Sequence, residues 1–148
     1  MRPENVAESS PRAGAGRPDE GRSSLYLALR IVVALQVVAI LVQAVTAGQL
    51  LNGDDGMKNV HGTGAGAVHL LGLIQVVLAV LWWRPGRGAG WPALASLVLL
   101  IAGFVQSAVG GSHNLAVHVP LGVSLLGLGV AIAVWAWWPG SAVRRGRG

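Results

Sequence analysis

Of the 148 residues, 53% are hydrophobic and only 11% are charged, where a soluble globular domain carries about 25% charged residues. The expected solvent is therefore a lipid bilayer. The lack of cysteine excludes disulfides, thiol catalysis and thiolate-held iron–sulfur clusters. A net charge of +5 raises the question of a nucleic-acid partner, but the basic residues are scattered over the tails, the start of the first apolar segment and two connections and build no groove, so no nucleic acid is expected.

Residues 1–23 are rich in Pro, Gly, Ser, Glu and Arg. Such a segment cannot bury enough apolar surface to offset its ordering entropy and is expected to be a disordered tail. Residues 24–138 then hold four apolar segments, Leu25 to Gly48, roughly Gly64 to Trp83, Trp91 to Val109 and Leu115 to Trp138. Each is close to the ~20 residues that cross ~30 Å of hydrocarbon. The connections Arg84–Gly90 and Gly110–Asn114 are short, which predicts antiparallel neighbours in an all-α, up-down transmembrane four-helix bundle. Residues 139–148 form a basic tail.

Charge sets the expected orientation. Arg2, Arg12, Arg17, Arg22 and Arg30 precede or open the first segment, Arg84 and Arg87 lie between the second and third, and Arg144, Arg145 and Arg147 follow the fourth. The other two connections carry Asp54, Asp55 and Lys58, or nothing. By the positive-inside rule both termini are cytoplasmic. The ten-to-one excess of Arg over Lys, with abundant Ala, Gly and Val, suits a GC-rich bacterial genome, so a multi-pass protein of a bacterial cell membrane is expected.

The two halves resemble each other. The first segment ends Leu41-Val42-Gln43-Ala44-Val45 and the third ends Phe104-Val105-Gln106-Ser107-Ala108; the second ends Trp82-Trp83-Arg84-Pro85-Gly86 and the fourth Trp137-Trp138-Pro139-Gly140. Two repeated helical hairpins would place matching residues around an axis along the membrane normal. All six tryptophans then lie at the cytoplasmic ends, where amphipathic rings settle among headgroups, and all four histidines lie toward the other face.

Polar residues inside spans read as functional by default. Gln36 and Gln75 need be no more than interhelical hydrogen-bond partners, whereas Gln43 and Gln106 occupy matching places and are expected to line a shared site. A neutral imidazole is a strong ligand for haem iron or another metal. Measured from the tryptophan pairs, His61 and His118 differ in depth by only ~3 Å at 1.5 Å per residue, and His69 and His118 by ~9 Å. Depth favours His61 with His118 as the haem or metal ligands. His69, on the same helix, is the alternative and could also look toward the centre. His113 is expected in the loop.

The stretch Gln106-Ser107-Ala108-Val109-Gly110 followed by Leu115-Ala116-Val117-His118 resembles the third and fourth helices of one half of a haem A synthase. The resemblance covers a single four-helix bundle, roughly Leu25 to Trp138, and extends to the small single-bundle membrane proteins common in actinobacteria. It implies haem bound by histidines near the outer ends of the second and fourth helices, at His61 or His69 and at His118. The family's acidic loop motif has no counterpart in Asp54-Asp55, and the second bundle is missing, so no enzyme activity is implied. Paired carboxylates and a phosphate-loop lysine are also absent from the spans. The leading expectation is a membrane protein holding b-type haem between its second and fourth helices near the outer face. The competing one is a structural or accessory membrane protein without a cofactor.

Overall fold

A computed structural model describes residues 18–85 and 88–141. It is all-α, with four helices: α1 (Pro18–Leu51), α2 (Met57–Trp83), α3 (Trp91–Gly111) and α4 (Leu115–Trp137). All four are long and apolar enough to cross a membrane. Helix α1 packs on α2 and α4, and α3 packs on the same two, while the backbones of the diagonal pairs α1–α3 and α2–α4 stay apart. The bundle is therefore up-down, with α2 and α4 parallel across its centre.

Two boundaries differ from expectation. Helix α1 begins at Pro18, inside the segment expected as tail. Pro fits the first turn of a helix, and Glu20 behind it suits the positive end of the helix dipole. The expected disorder of the remaining tail, residues 1–17, and the basic tail beyond Ser141 lie outside the described residues. Helix α2 begins at Met57 and takes in Gly62, Gly64 and Gly66, although glycine itself does not favour a helix. Between α3 and α4, His113 stands at φ 60° in the turn and Asn114 caps α4 by accepting from the Val117 N–H.

The core follows a spacing of three and four residues, the pattern of helices packed in a left-handed bundle. On α1 the buried positions are Tyr26, Leu29, Val33, Gln36 and Ile40. Sixty-three residues on, Leu29, Val33, Gln36 and Ile40 are matched by the buried Pro92, Ser96, Leu99 and Gly103 of α3. Gly72, Gln75 and Ala79 of α2 are matched 57 residues on by Gly129, Ile132 and Ala136 of α4. The same offsets relate Gln43 to Gln106 and His61 to His118. The sequence resemblance between the halves is thus also a resemblance in which faces turn inward.

The outside is apolar all round: Leu27, Ile31, Leu35, Val38, Leu73, Val77, Leu94, Ile101, Val123 and Val134 are all exposed. A soluble bundle would set charged residues there, whereas a lipid-facing surface needs none.

Candidate functional site

The two ends of the bundle are built differently. At the tryptophan end Trp82 is 1% exposed, with its ring 4.6 Å from that of Tyr26, whose hydroxyl donates to the Ala136 carbonyl at 2.7 Å. At the other end, between residues 43 and 71 and between 104 and 124, Thr46 is the one residue that is fully buried. The histidines stand in that loosely filled region.

His61 and His118 come together. His61 is the fifth residue of α2 and His118 the fourth of the parallel helix α4, and their ring centroids are 6.3 Å apart at an interplanar angle of 64°. Two imidazoles bound to one ion from opposite sides, at ~2.0–2.1 Å from nitrogen to metal, would hold their centroids about 6.4 Å apart. The depth match expected from the sequence is therefore present in three dimensions.

Each ring is anchored by its Nδ1. For His118 the partner is the backbone carbonyl of Gln106 at 3.0 Å. A carbonyl only accepts, so Nδ1 carries the proton, and in the neutral ring Nε2 is left as a bare lone pair. For His61 the partner is the Thr46 hydroxyl at 2.9 Å, whose oxygen also lies 3.1 Å from the Val42 carbonyl and 3.0 Å from the Gln43 carbonyl. With its single proton given to those carbonyls, the hydroxyl accepts the Nδ1–H of His61, and again Nε2 is free. Metal-binding histidines are held in this way, with the second nitrogen fixing ring orientation and tautomer.

The matched glutamines flank the pair. Gln106 donates from Nε2 to the His118 carbonyl at 2.9 Å, and the same Nε2 would lie 2.9 Å from a Cβ placed at Gly122. Its Oε1 is buried with no hydrogen-bond partner. On the other half the Gln43 amide packs against Gly64, where a Cβ would collide with it. Gly110 is as confined: a Cβ there would stand 2.6 Å from Cε1 of the His118 ring. Glycine at these positions leaves room for the side chains that frame the histidines.

His69 does not join them. Its ring stacks on Phe104 with centroids 4.2 Å apart, and its Nε2 lies 3.3 Å from the Ser107 hydroxyl, both on α3. The inward register of α2 runs through Val68 and Gly72. One residue past Val68 is a turn of ~100°, which carries His69 to the α2–α3 seam and not to the centre. The expectation that it could look inward is corrected on that ground. His113 is exposed in its turn, as expected.

Sequence reading missed Thr46. Nothing in an apolar run marks one threonine as the partner of a histidine fifteen residues later across a turn; only its burial, 5% exposed beside a loosely packed end, singles it out. The mid-bundle polar layer was seen as Gln36 and Gln75, but its third member was not: the Gln75 amide donates to the buried Ser96 hydroxyl at 2.9 Å.

No known protein family, curated protein or solved structure matches this chain.

Proposed function

We propose that this membrane protein binds b-type haem between α2 and α4, with Nε2 of His61 and of His118 as the axial ligands, near the outer face of a bacterial cell membrane whose cytoplasm holds both termini. The observation that carries this reading is the pair itself: two imidazoles 6.3 Å apart by centroid, both with Nδ1 engaged. Among the described residues no group of three or more His, Asp or Glu gathers to enclose an ion. A two-donor site suits a macrocycle, which brings four equatorial nitrogens of its own. Bound there, haem supplies one-electron chemistry.

The chain's own residues would do the rest. Thr46 and the Gln106 carbonyl hold the imidazoles in register and raise their basicity. Gly64, Gly110 and Gly122 keep backbone surfaces low beside them. The apolar spans exclude water, and no residue is assigned a catalytic role. The resemblance to one half of a haem A synthase supports the same two helices as ligand carriers.

A second reading rests on the orphaned Gln106 Oε1, which is a third donor near His118. His61, His118 and that oxygen would then hold a bare transition-metal ion.

The test is the visible spectrum of protein made with ample haem supply and purified in mild detergent. A Soret band and a sharp reduced α-band are expected, lost in His61→Ala and in His118→Ala at unchanged helicity, and kept in His69→Ala. Colourless protein with a stoichiometric metal would favour the second reading. Colourless, metal-free protein would sink both and leave the cofactor-free accessory role.

A further inference from the structure

Among the described residues, a cation at the tryptophan end lacks a counter-ion. Arg30 lies within α1, its guanidinium carbon 4.3 Å from the centroid of the Trp137 ring and 5.6 Å from that of Tyr26. Its Nε is enclosed and has no hydrogen-bond partner. The remaining terminal nitrogens are the part of the fork left to face outward.

Among the described side chains no carboxylate is in reach. Of the acidic residues whose side chains are described, Asp54 and Asp55 sit at the opposite end, and Glu20 is ten residues back along α1, ~15 Å at 1.5 Å per residue. A guanidinium held between two aromatic faces is oriented but not neutralised, since cation–π attraction leaves its N–H groups without acceptors. At the edge of the hydrocarbon such a charge is costly unless an anion meets it.

Just inside that point the α1–α4 seam is apolar and open. One and two turns deeper than Arg30 stand Ala34 and Val37, the latter facing Gly129 of α4, and deeper than Trp137 stand Val134 and Val130. Val130 and Val134 are exposed. A planar cation above an apolar seam matches an amphiphile with an anionic head and a hydrocarbon tail. The planar fork of Arg suits two phosphate oxygens at once.

We infer that Arg30, framed by Trp137 and Tyr26, binds the phosphodiester of an anionic phospholipid whose acyl chain lies along the α1–α4 seam. Inorganic phosphate offers the same oxygens but has no use for the seam. The site is separate from the histidine end and does not depend on haem.

Native mass spectrometry of the full chain in mild detergent tests it, with phosphatidylglycerol, phosphatidylcholine and inorganic phosphate as probes. One phosphatidylglycerol should be retained about five- to tenfold more tightly than phosphatidylcholine. Arg30→Gln should abolish that preference, and Arg22→Gln, which removes the guanidinium over Trp82, should leave it in place. Arg30→Lys keeps the charge without the fork and should keep only part of the preference. Helicity and melting temperature are read on each variant, and Arg22→Gln and Arg30→Lys decide the matter if Arg30→Gln does not fold. Equal retention of the two lipids would overturn the proposal, as would loss of the preference in Arg22→Gln as complete as in the Arg30 variants. Full preference in Arg30→Lys would reduce the site to a point charge. Displacement of the lipid by millimolar phosphate would show a free-phosphate site and overturn the lipid assignment.

Discussion

The tryptophan end and the histidine end of this bundle are carried by the same four helices, yet one is closed and the other is not. Along the inward register the tryptophan end places Trp82, Tyr26 and Leu29, all nearly inaccessible, with Ala93 and Ala136 accommodating them. At the other end the register runs into Gln43, His61, Gln106 and His118, all half-buried, with glycines beside them. Large apolar side chains meeting small ones make a packed core, whereas polar side chains meeting glycines leave one unfinished. The difference teaches that close apolar packing and clustered polar side chains are kept at opposite ends, the second with room that a packed core does not leave.

The largest effect should come from the closed end. Trp82→Ala removes the biggest fully buried side chain, and such truncations cost about 3–5 kcal/mol. Unfolding in detergent, followed by helicity, should show that loss, while His61→Ala in the haem-free protein should cost less than ~1 kcal/mol because its ring is half-exposed. If the two variants lost equal stability, the division between the ends would fail.

Next in size is a matched pair at the open end. In Gly110→Ala the new methyl would stand 2.6 Å from the His118 ring, which is already held at Nδ1, so the imidazole must move. In Gly111→Ala the methyl meets open space. Haem titration of the two should show weakening of roughly tenfold or more for Gly110→Ala, the range seen when ligand positioning is disturbed, and no change for Gly111→Ala. Identical affinities would mean that the His118 ring is not positioned by α3.

How much of this was legible in the sequence depends on how local each feature is. Four spans, their antiparallel order and the segregation of His from Trp follow from apolar run length and short connections, which are properties of single segments. The meeting of His61 with His118 was legible from depth alone, because both helices run in the same direction from a common floor of tryptophans. The facing of His69 was not, since ~80° of difference over eight residues leaves it undecided which neighbour a ring prefers. Phe104 and Ser107 decided that, and both come from another helix. Thr46 and Ser96 were illegible for the same reason: a hydroxyl in an apolar run shows its role only once the partner helix is placed.

The smallest expected effect is the most discriminating about how the open end is held. Thr46→Val is nearly isosteric and leaves the backbone free to pack as before, but it removes the only hydrogen-bond partner of His61 Nδ1 among the described side chains. His118 keeps its carbonyl. The halves therefore differ in degree: His118 is oriented by a backbone carbonyl, which no side-chain substitution on α3 can delete, whereas His61 has the Thr46 hydroxyl in addition to the nearby Gln43 carbonyl. Haem affinity should fall by about tenfold, with the reduced α-band broadened by a second His61 orientation, and Thr46→Ser should restore both. A Thr46→Val protein with wild-type affinity and line shape would show that packing alone orients His61, and the inequality between the halves would then lie elsewhere than in the hydroxyl.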